Sequence, residues 1–214
     1  MKNEELIKNL INFHKKAEKL KTTTRHSWLT DSSQESVAEH SWMLSLLAML
    51  LFDKLDKKVD LIKVMKMVTV HDLAESITGD IPAHTPDTSK RIRNKYKSEE
   101  KAFKILVTKL PKNKAEEIIA LWKEFERNKT KEAKFANSLD KIEAVMQHNL
   151  SNITSWEQGD FNMHPYYKNN FFDFDSFMRA FKDVVDIQSM KKIIKAKADH
   201  RIDRKHLEKY RKGK

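Results

Sequence analysis

The 214-residue chain contains no cysteine, only three glycines and only four prolines. The absence of cysteine excludes a disulfide framework and a thiol nucleophile, and it fits a reducing compartment. The glycines, at positions 79, 159 and 213, are too far apart to form a glycine-rich dinucleotide loop or a Walker phosphate loop. Any phosphate chemistry must therefore use a metal ion and basic side chains.

Long apolar runs are also absent. The longest extends from Trp42 to Phe52 and includes Ser45, so it is too short to span a bilayer and indicates a buried helix. The first residues are polar and acidic, whereas a signal peptide needs an apolar segment. These features predict a cytoplasmic protein that has no membrane segment.

The composition predicts an all-α globular protein. Charged residues make up 34% of the chain, and no series of short alternating strands is present. Apolar periodicity predicts helices over residues 3–20, 36–55, 60–79, 89–109, 112–127, 131–154, 175–187 and 189–210. Residues 21–33 read as a polar loop, and residues 155–172 as an ordered aromatic loop packed on the body. With no internal repeat or domain boundary, we expect a single domain over residues 1–214, with its core at about 5–155.

Three of the predicted helices have recognisable N-terminal signals. Ser36 followed by Glu39 forms the capping-box pattern, and Asp60 and Thr130 are suitable N-cap residues. Gly79 is a suitable stop for the helix that begins at Asp60. These signals place the chemically interesting residues described next on or beside predicted helices.

The formal net charge is +11, but it is unevenly distributed. Residues 182–214 contain twelve Lys and Arg against five Asp and Glu, so most of the surplus lies in the last predicted helices and the tail. A solvated basic face is the favoured interpretation. Binding to nucleic acid or to another acidic partner is the alternative.

The pair His71-Asp72 is the most informative local feature. His40 precedes it by about thirty residues, and Asp140 follows it by about seventy. Two imidazoles and two carboxylates on apolar helical patterns can hold one divalent transition metal with coordination positions left open. A lone His40 would be a satisfied core histidine, but a buried unpaired Asp140 would be costly. This donor set suits Co, Mn, Zn, Ni, Cu or Fe better than Mg.

Two further carboxylates lie near this pair in the sequence. On a helix, Glu75 would share a face with His71 and Asp72, where it could act on water or on a leaving oxygen. The alternative for Glu75 is an exposed carboxylate at a helix end. Asp80 lies just after Gly79 and is either a second acidic group at the same rim or a turn cap. His26 and His84 lie in predicted loops that could face the site.

Several segments together resemble the HD-domain phosphohydrolases, and more narrowly their small 5′-deoxynucleotidase branch. The segments are RHSW at 25–28, ESVAEHS at 35–41, HDLAESITGD at 71–80, LWKEFE at 121–126 and EAKFANSLDK at 132–141. They occur in a consistent order over about residues 5–155. Beyond residue 155 the sequence has no counterpart in this pattern.

The resemblance implies an all-α HD-domain helical bundle with a central metal site. By that resemblance, four residues match the metal ligands, Glu75 matches the acid/base residue, and Asp80 matches a second acidic catalytic residue. Arg25 and Trp28 match the pair that contacts the phosphate and sugar of a nucleotide. The implied metal ligands are His40, His71, Asp72 and Asp140.

The expected activity is therefore metal-dependent release of phosphate from deoxyribonucleoside 5′-monophosphates, by a homodimer. One alternative is hydrolysis of another nucleotide phosphate ester, such as a triphosphate or a cyclic nucleotide. A binuclear centre would need further ligands, for which His84 is the obvious candidate. The other alternative is a non-catalytic module that binds nucleotides or polyanions, with a vestigial metal site.

Overall fold

The computed structural model describes residues 2–81, 89–163 and 167–204. These residues are mostly helical, which confirms the all-α prediction. The α-helices are α1 (Lys2–Ala17), α2 (Val37–Leu51), α3 (Leu61–Val70), α4 (Glu75–Thr78), α5 (Ser89–Val107), α6 (Lys112–Arg127), α7 (Lys131–Leu150), α8 (Gln158–Met163) and α9 (Ser176–Lys195). Single 3₁₀ turns occur at Glu18–Lys21, Ile153–Ser155, Asn169–Phe171 and Asp199–Arg201.

The segment predicted as a polar loop, residues 21–33, instead contains the first strand of a small hairpin. Strand β1 (Thr24–Trp28) pairs antiparallel with β2 (Gln34–Ser36). The connection is closed by a hydrogen bond from the Leu29 N–H to the Ser33 carbonyl (2.8 Å). The loop prediction was wrong because a five-residue strand without apolar alternation gives almost no periodic signal.

The predicted helix over residues 60–79 is interrupted. Helix α3 ends at Val70, and α4 begins only at Glu75. Between them, the N–H groups of Leu73 and Glu75 donate to carbonyls three residues earlier, at 3.1 and 2.9 Å, which is a tighter turn than the α-helix. Adjacent side chains on an α-helix diverge by about 100°. In this turn, by contrast, His71 and Asp72 contact each other.

Toward the C-terminal end, the boundary predicted between helices at residues 187–189 is absent among the described residues, because one helix, α9, runs through it. Helix α9 continues to Lys195 because Ser189 stays in helical conformation, with its hydroxyl donating to the Val185 carbonyl at 3.1 Å. The described part of the predicted aromatic loop, residues 155–163 and 167–172, includes α8, and its Trp156, Phe161 and Phe172 are buried. The end of the basic tail, residues 205–214, lies outside the described residues.

The largest core cluster joins α2, α3, α6, α7 and α9, and a second cluster surrounds Trp122 between α5 and α6. Phe172, Met178 and Val185 bring the C-terminal part of the chain into the largest cluster. This packing supports the single-domain interpretation, which stays a prediction. Within the described ranges, none of the helices has the length and apolar character needed to cross a membrane.

Candidate metal centre

Local helix signals position the two central histidines. The predicted capping box at Ser36 is present: the Ser36 N–H donates to the Glu39 carboxylate (2.7 Å), and the Glu39 N–H donates to the Ser36 hydroxyl (3.2 Å). This cap starts α2 so that His40 lies in its first turns, fully buried. His71 caps the C-terminus of α3, and its ring packs against Phe125 at a centroid distance of 5.1 Å.

Each of these histidines is oriented through its Nδ1 atom. In His40, Nδ1 lies 2.5 Å from Oε2 of Glu143, and in His71, Nδ1 lies 2.9 Å from the Val68 carbonyl oxygen. Because both partners are acceptors, Nδ1 carries the proton in each ring, and Nε2 of a neutral ring presents a lone pair. Neither Nε2 atom has a hydrogen-bond partner among the described residues, although both are buried.

The predicted carboxylates face these Nε2 atoms. Oδ1 of Asp140 lies 3.2 Å from Nε2 of His40, and Oδ2 of Asp72 lies 2.9 Å from Nε2 of His71. Donor atoms of His40, His71 and Asp72 all lie within 4.8 Å of one another. A ring nitrogen this close to a carboxylate oxygen needs either a proton or a metal ion between the two atoms, and one metal ion can satisfy both pairs at once. The four residues therefore fit a divalent transition-metal ion.

Both aspartates are held in the ionised form that a metal ligand needs. Burial alone would raise the pKa of Asp72, but the neighbouring His71 lowers that pKa below its ordinary value. Burial also acts to raise the pKa of Asp140. The ammonium group of Lys141, which contacts this carboxylate, and the imidazole of His40 more than offset burial, and the pKa is lowered.

A cavity of about 350 Å³ opens onto the carboxylate side of this centre. Its lining includes Asp72 and Asp140, and also Glu75, Asp80 and Arg25. Glu75 is buried, and its Oε2 atom has no hydrogen-bond partner in the described part of the chain. Burial, with the nearby charges of Asp72 and Asp80, raises the pKa of Glu75 to about 10. Burial also raises the pKa of Asp80.

Arg25 is fixed by two glutamates that the sequence interpretation had not assigned. Its Nη1 atom lies 3.1 Å from Oε2 of Glu35 and 3.4 Å from Oε2 of Glu143. Burial acts to lower the pKa of Arg25, but these carboxylates raise it overall. The contacts from His40 to Glu143, from Glu143 to Arg25 and from Arg25 to Glu35 form one continuous buried network, which we call the His40–Glu35 network.

Other predicted residues are placed differently. Trp28 is half-buried at the end of β1, and its carbonyl accepts a hydrogen bond from Gln147 (2.7 Å), but it is not among the described residues that line the cavity. Its contact with a nucleotide stays a prediction. His26 does line the cavity, whereas His84 lies outside the described residues.

The structure adds Glu143, Lys95 and Lys141 to the surroundings of the centre. Glu143 had a detectable signal, since it follows Asp140 by three residues on one face of a buried helix. Lys141 was adjacent to a predicted ligand, but neighbouring residues on a helix do not share a face. Lys95 lies on the highly charged α5, where no sequence feature separates it from exposed lysines.

The fold and centre agree with comparisons to known proteins. A family model for the HD domain matches residues 17–179, which is most of the chain. The chain therefore belongs to the HD domain family.

Particular relatives share this region. A 5′-deoxynucleotidase HDDC2 from Dictyostelium discoideum is 34% identical over 149 residues, which cover 66% of this chain and 76% of that protein. The 5′-deoxynucleotidase hdd1 of Schizosaccharomyces pombe is 38% identical over 134 residues, covering 60% of this chain and 65% of that protein. A crystal structure described as a predicted metal-dependent phosphohydrolase from Magnetospirillum magnetotacticum superposes with a TM-score of 0.72 at 29% identity, covering 89% of this chain and 95% of that one.

Proposed function

We propose that this chain is a metal-dependent 5′-nucleotidase that releases inorganic phosphate from deoxyribonucleoside 5′-monophosphates. The observation that carries the proposal is the pair of buried Nε2 atoms of His40 and His71 that face the carboxylates of Asp140 and Asp72 at the wall of the cavity. The 5′-deoxynucleotidase names of the Dictyostelium and Schizosaccharomyces relatives support the substrate class.

In this proposal, His40, His71, Asp72 and Asp140 hold one divalent transition-metal ion. When bound, the ion supplies Lewis acidity, which neutralises phosphoryl charge and lowers the pKa of water. The donor set favours Co, Mn, Zn, Ni, Cu or Fe. Nδ1 of His40 keeps its proton and donates a hydrogen bond to Glu143. This contact holds the imidazole in the orientation that ligation needs.

Glu75 acts as the proton-transfer residue. Its raised pKa keeps the carboxyl group protonated at neutral pH before a metal binds, and the charge of a bound cation acts in the opposite direction. Glu75 is therefore set to exchange a proton within the cavity. As water attacks phosphorus and the P–O5′ bond breaks, Glu75 delivers a proton to the departing 5′-oxygen. Asp80, on the same cavity wall, is the second acidic residue of the site.

Arg25 binds the phosphoryl group. In the described hydrogen bonds, the carboxylates of Glu35 and Glu143 accept from Nη1, so other N–H donors of the guanidinium are left to bind phosphate oxygens. Lys95 and Lys141 contribute further positive charge at the cavity wall. Because Arg25 is fixed by ion pairs before substrate arrives, little side-chain entropy is lost on binding.

The test is a substrate panel on purified protein loaded with Mn²⁺ or Co²⁺. Phosphate release would be measured from deoxyribonucleoside 5′-monophosphates, with the corresponding ribonucleotides, 3′-monophosphates, 5′-triphosphates and cyclic dinucleotides for comparison. We expect the 5′-deoxyribonucleotides to have the highest kcat/KM. Preference for a triphosphate or a cyclic nucleotide would overturn the substrate assignment.

The metal ligands need a separate test that does not depend on activity. Asp140→Asn should lose most of the metal that co-purifies with the wild-type protein. Asp183→Asn, in the exposed ion pair with Arg179 (3.0 Å), is the matched control and should keep it. Wild-type metal content in Asp140→Asn would remove Asp140 from the ligand set.

We also propose that the chain forms a homodimer through α2. One face of this helix exposes Trp42, Leu46, Met49 and Leu50, and Trp42 is 63% exposed. These positions form a helical stripe, and a second copy would bury it. Trp42→Glu should shift the mass measured by light scattering from dimer to monomer, and a monomeric wild type would refute the proposal. The cytoplasmic location stays a prediction that cell fractionation would test.

A further inference from the structure

A second group of metal-binding side chains lies on the wall of the same cavity, outside the centre described above. His26 comes from β1, His148 from the last turn of α7, and Asp160 from α8. The donor atoms of these three residues all lie within 4.8 Å of one another. His148 and Asp160 are buried and His26 is half-buried, so the group is part of the folded interior rather than a surface coincidence.

The carboxylate of Asp160 lies between the two imidazoles. Its Oδ2 atom is 3.0 Å from Nε2 of His26, and its Oδ1 atom is 3.6 Å from Nε2 of His148. The Glu157 N–H donates to Oδ2 at 2.8 Å, which fixes the carboxylate at the start of α8. One nitrogen from each ring and one carboxylate oxygen thus converge from three elements of secondary structure.

The environment of His148 in this group resembles that of His71 in the predicted metal centre. Nδ1 of His148 donates to the carbonyl oxygen of Ala144 at 2.8 Å. In the same way, Nδ1 of His71 donates to the carbonyl oxygen of Val68 at 2.9 Å. In each case, Nε2 of the same ring lies beside a carboxylate oxygen, at 3.6 Å for His148 and 2.9 Å for His71. The ring centroids of His26 and His148 are 5.8 Å apart, and those of His40 and His71 are 5.5 Å apart.

We propose that His26, His148 and Asp160 form a second site for a divalent transition-metal ion. Two imidazoles and one carboxylate favour Zn²⁺, Co²⁺, Ni²⁺ or Cu²⁺ over Mg²⁺ or Ca²⁺. Because all three residues line the cavity, the remaining coordination position faces the space that a substrate would occupy. This inference does not depend on the proposed nucleotidase activity.

The protonation states suit ligation at two of the three positions. Burial lowers the pKa of His148, which keeps its imidazole neutral. Burial alone would raise the pKa of Asp160, but the hydrogen bond from His26 brings it to about 2, so the carboxylate is ionised.

His26 differs, because its hydrogen bond to Asp160 raises its pKa. A metal ion would therefore replace a proton on Nε2 of His26, and that proton would pass to solvent. Nδ1 would then carry the remaining ring proton, 4.0 Å from Oε1 of Glu157. Binding at this site should consequently tighten as the pH rises through the pKa of His26.

The experiment measures metal stoichiometry on the untagged, full-length protein. The protein would be stripped with a chelator, titrated with Co²⁺ at several pH values, and followed by visible absorption and by elemental analysis after dialysis. We expect two equivalents per chain in the wild type and one in His148→Ala or His26→Gln. Asp140→Asn should lose the other equivalent, with a different change in the Co²⁺ spectrum.

His14→Ala is the matched control, since His14 is exposed on α1, and it should retain both equivalents. Retention of the equivalent that Asp140→Asn removes would show that the His26 and His148 variants are folded. A single equivalent of Co²⁺ per wild-type chain would overturn the proposal, because hydrogen bonds alone would then join His26, His148 and Asp160. Two equivalents of Co²⁺ in both His148→Ala and His26→Gln would also overturn the proposal.

Discussion

Glu143→Gln gives the sharpest test of how the metal centre is built, because it removes one charge beside the centre without replacing a proposed ligand. Glu143 is almost completely buried, and its Oε2 atom lies 2.5 Å from Nδ1 of His40. A glutamine can still accept a hydrogen bond from this nitrogen, so the His40 ring keeps its partner. The variant therefore removes the negative charge and leaves the shape of the contact.

The expected loss follows from the burial of this contact. A hydrogen bond to a charged group contributes about 1.5–3 kcal/mol, whereas a neutral one contributes about 1 kcal/mol. Solvent does not screen a pair with 0% and 3% side-chain exposure, so the difference of about 0.5–2 kcal/mol should appear in full. This corresponds to a metal affinity weaker by roughly 2- to 30-fold, which overlaps the roughly 10- to 100-fold typical for partners of metal-binding histidines.

The assay is competition with a chromophoric chelator for Zn²⁺ at neutral pH. Glu35→Gln is the matched control, because Glu35 also contacts Arg25 but has no direct contact with His40 in the described hydrogen bonds. Burial, together with the charge of Glu143, raises the pKa of Glu35 to about 7, so this residue is already partly neutral. Its replacement should therefore weaken the affinity less than Glu143→Gln does. Equal affinities in wild type and Glu143→Gln would refute the reasoning.

Three further predictions concern single side chains. Glu75→Gln should keep its metal and still bind nucleotide, while kcat falls by about 10²–10⁴, measured as phosphate release. Arg25→Lys should lower kcat/KM, since an ammonium group cannot offer a planar pair of donors, and Arg25→Ala should lower it further. Lys182→Ala should reduce the free energy of unfolding by about 3–5 kcal/mol in urea titrations, because buried Lys182 pairs with Asp186.

Each of these has an outcome that would contradict it. Near-normal kcat in Glu75→Gln would remove this residue from proton transfer, and unchanged kinetics in Arg25→Ala would remove Arg25 from phosphate binding. For the buried pair, Lys192→Ala is the control, because its half-buried ammonium contacts backbone carbonyls and no carboxylate in the described part of the structure. Equal free energies of unfolding for Lys182→Ala and Lys192→Ala would show that the buried Lys182–Asp186 pair adds nothing to stability beyond a half-buried lysine.

The sequence predicted those parts of the centre that depend on local patterns. The Ser36 capping box, the Asp60 and Thr130 caps and the helices that carry His40 and Asp140 are all present. Each depends on residues at most four positions apart. The quartet itself was predictable because four residues of metal-binding type stood out on apolar helices, where an unpaired charge would be costly.

The parts that were missed depend on contacts between distant segments. The hairpin of β1 and β2 is joined to α7 by the hydrogen bond that Gln147 donates to the Trp28 carbonyl oxygen at 2.7 Å. The group of His26, His148 and Asp160 joins β1 to residues more than 120 positions later. No periodicity within a single element reports such convergence.

The His40–Glu35 network also changes how Arg25 must be interpreted. From sequence, Arg25 was only a phosphate-binding residue, so its loss would affect substrate alone. In the structure, its guanidinium lies between Glu35 and Glu143, and Glu143 in turn orients His40. Without Arg25, two buried carboxylates would face each other, and a proton would be drawn onto one of them. If that proton settled on Glu143, the orientation and basicity of His40 would weaken. A rise in KM in Arg25→Ala therefore separates phosphate binding from metal binding only when the metal content of the same sample has been measured.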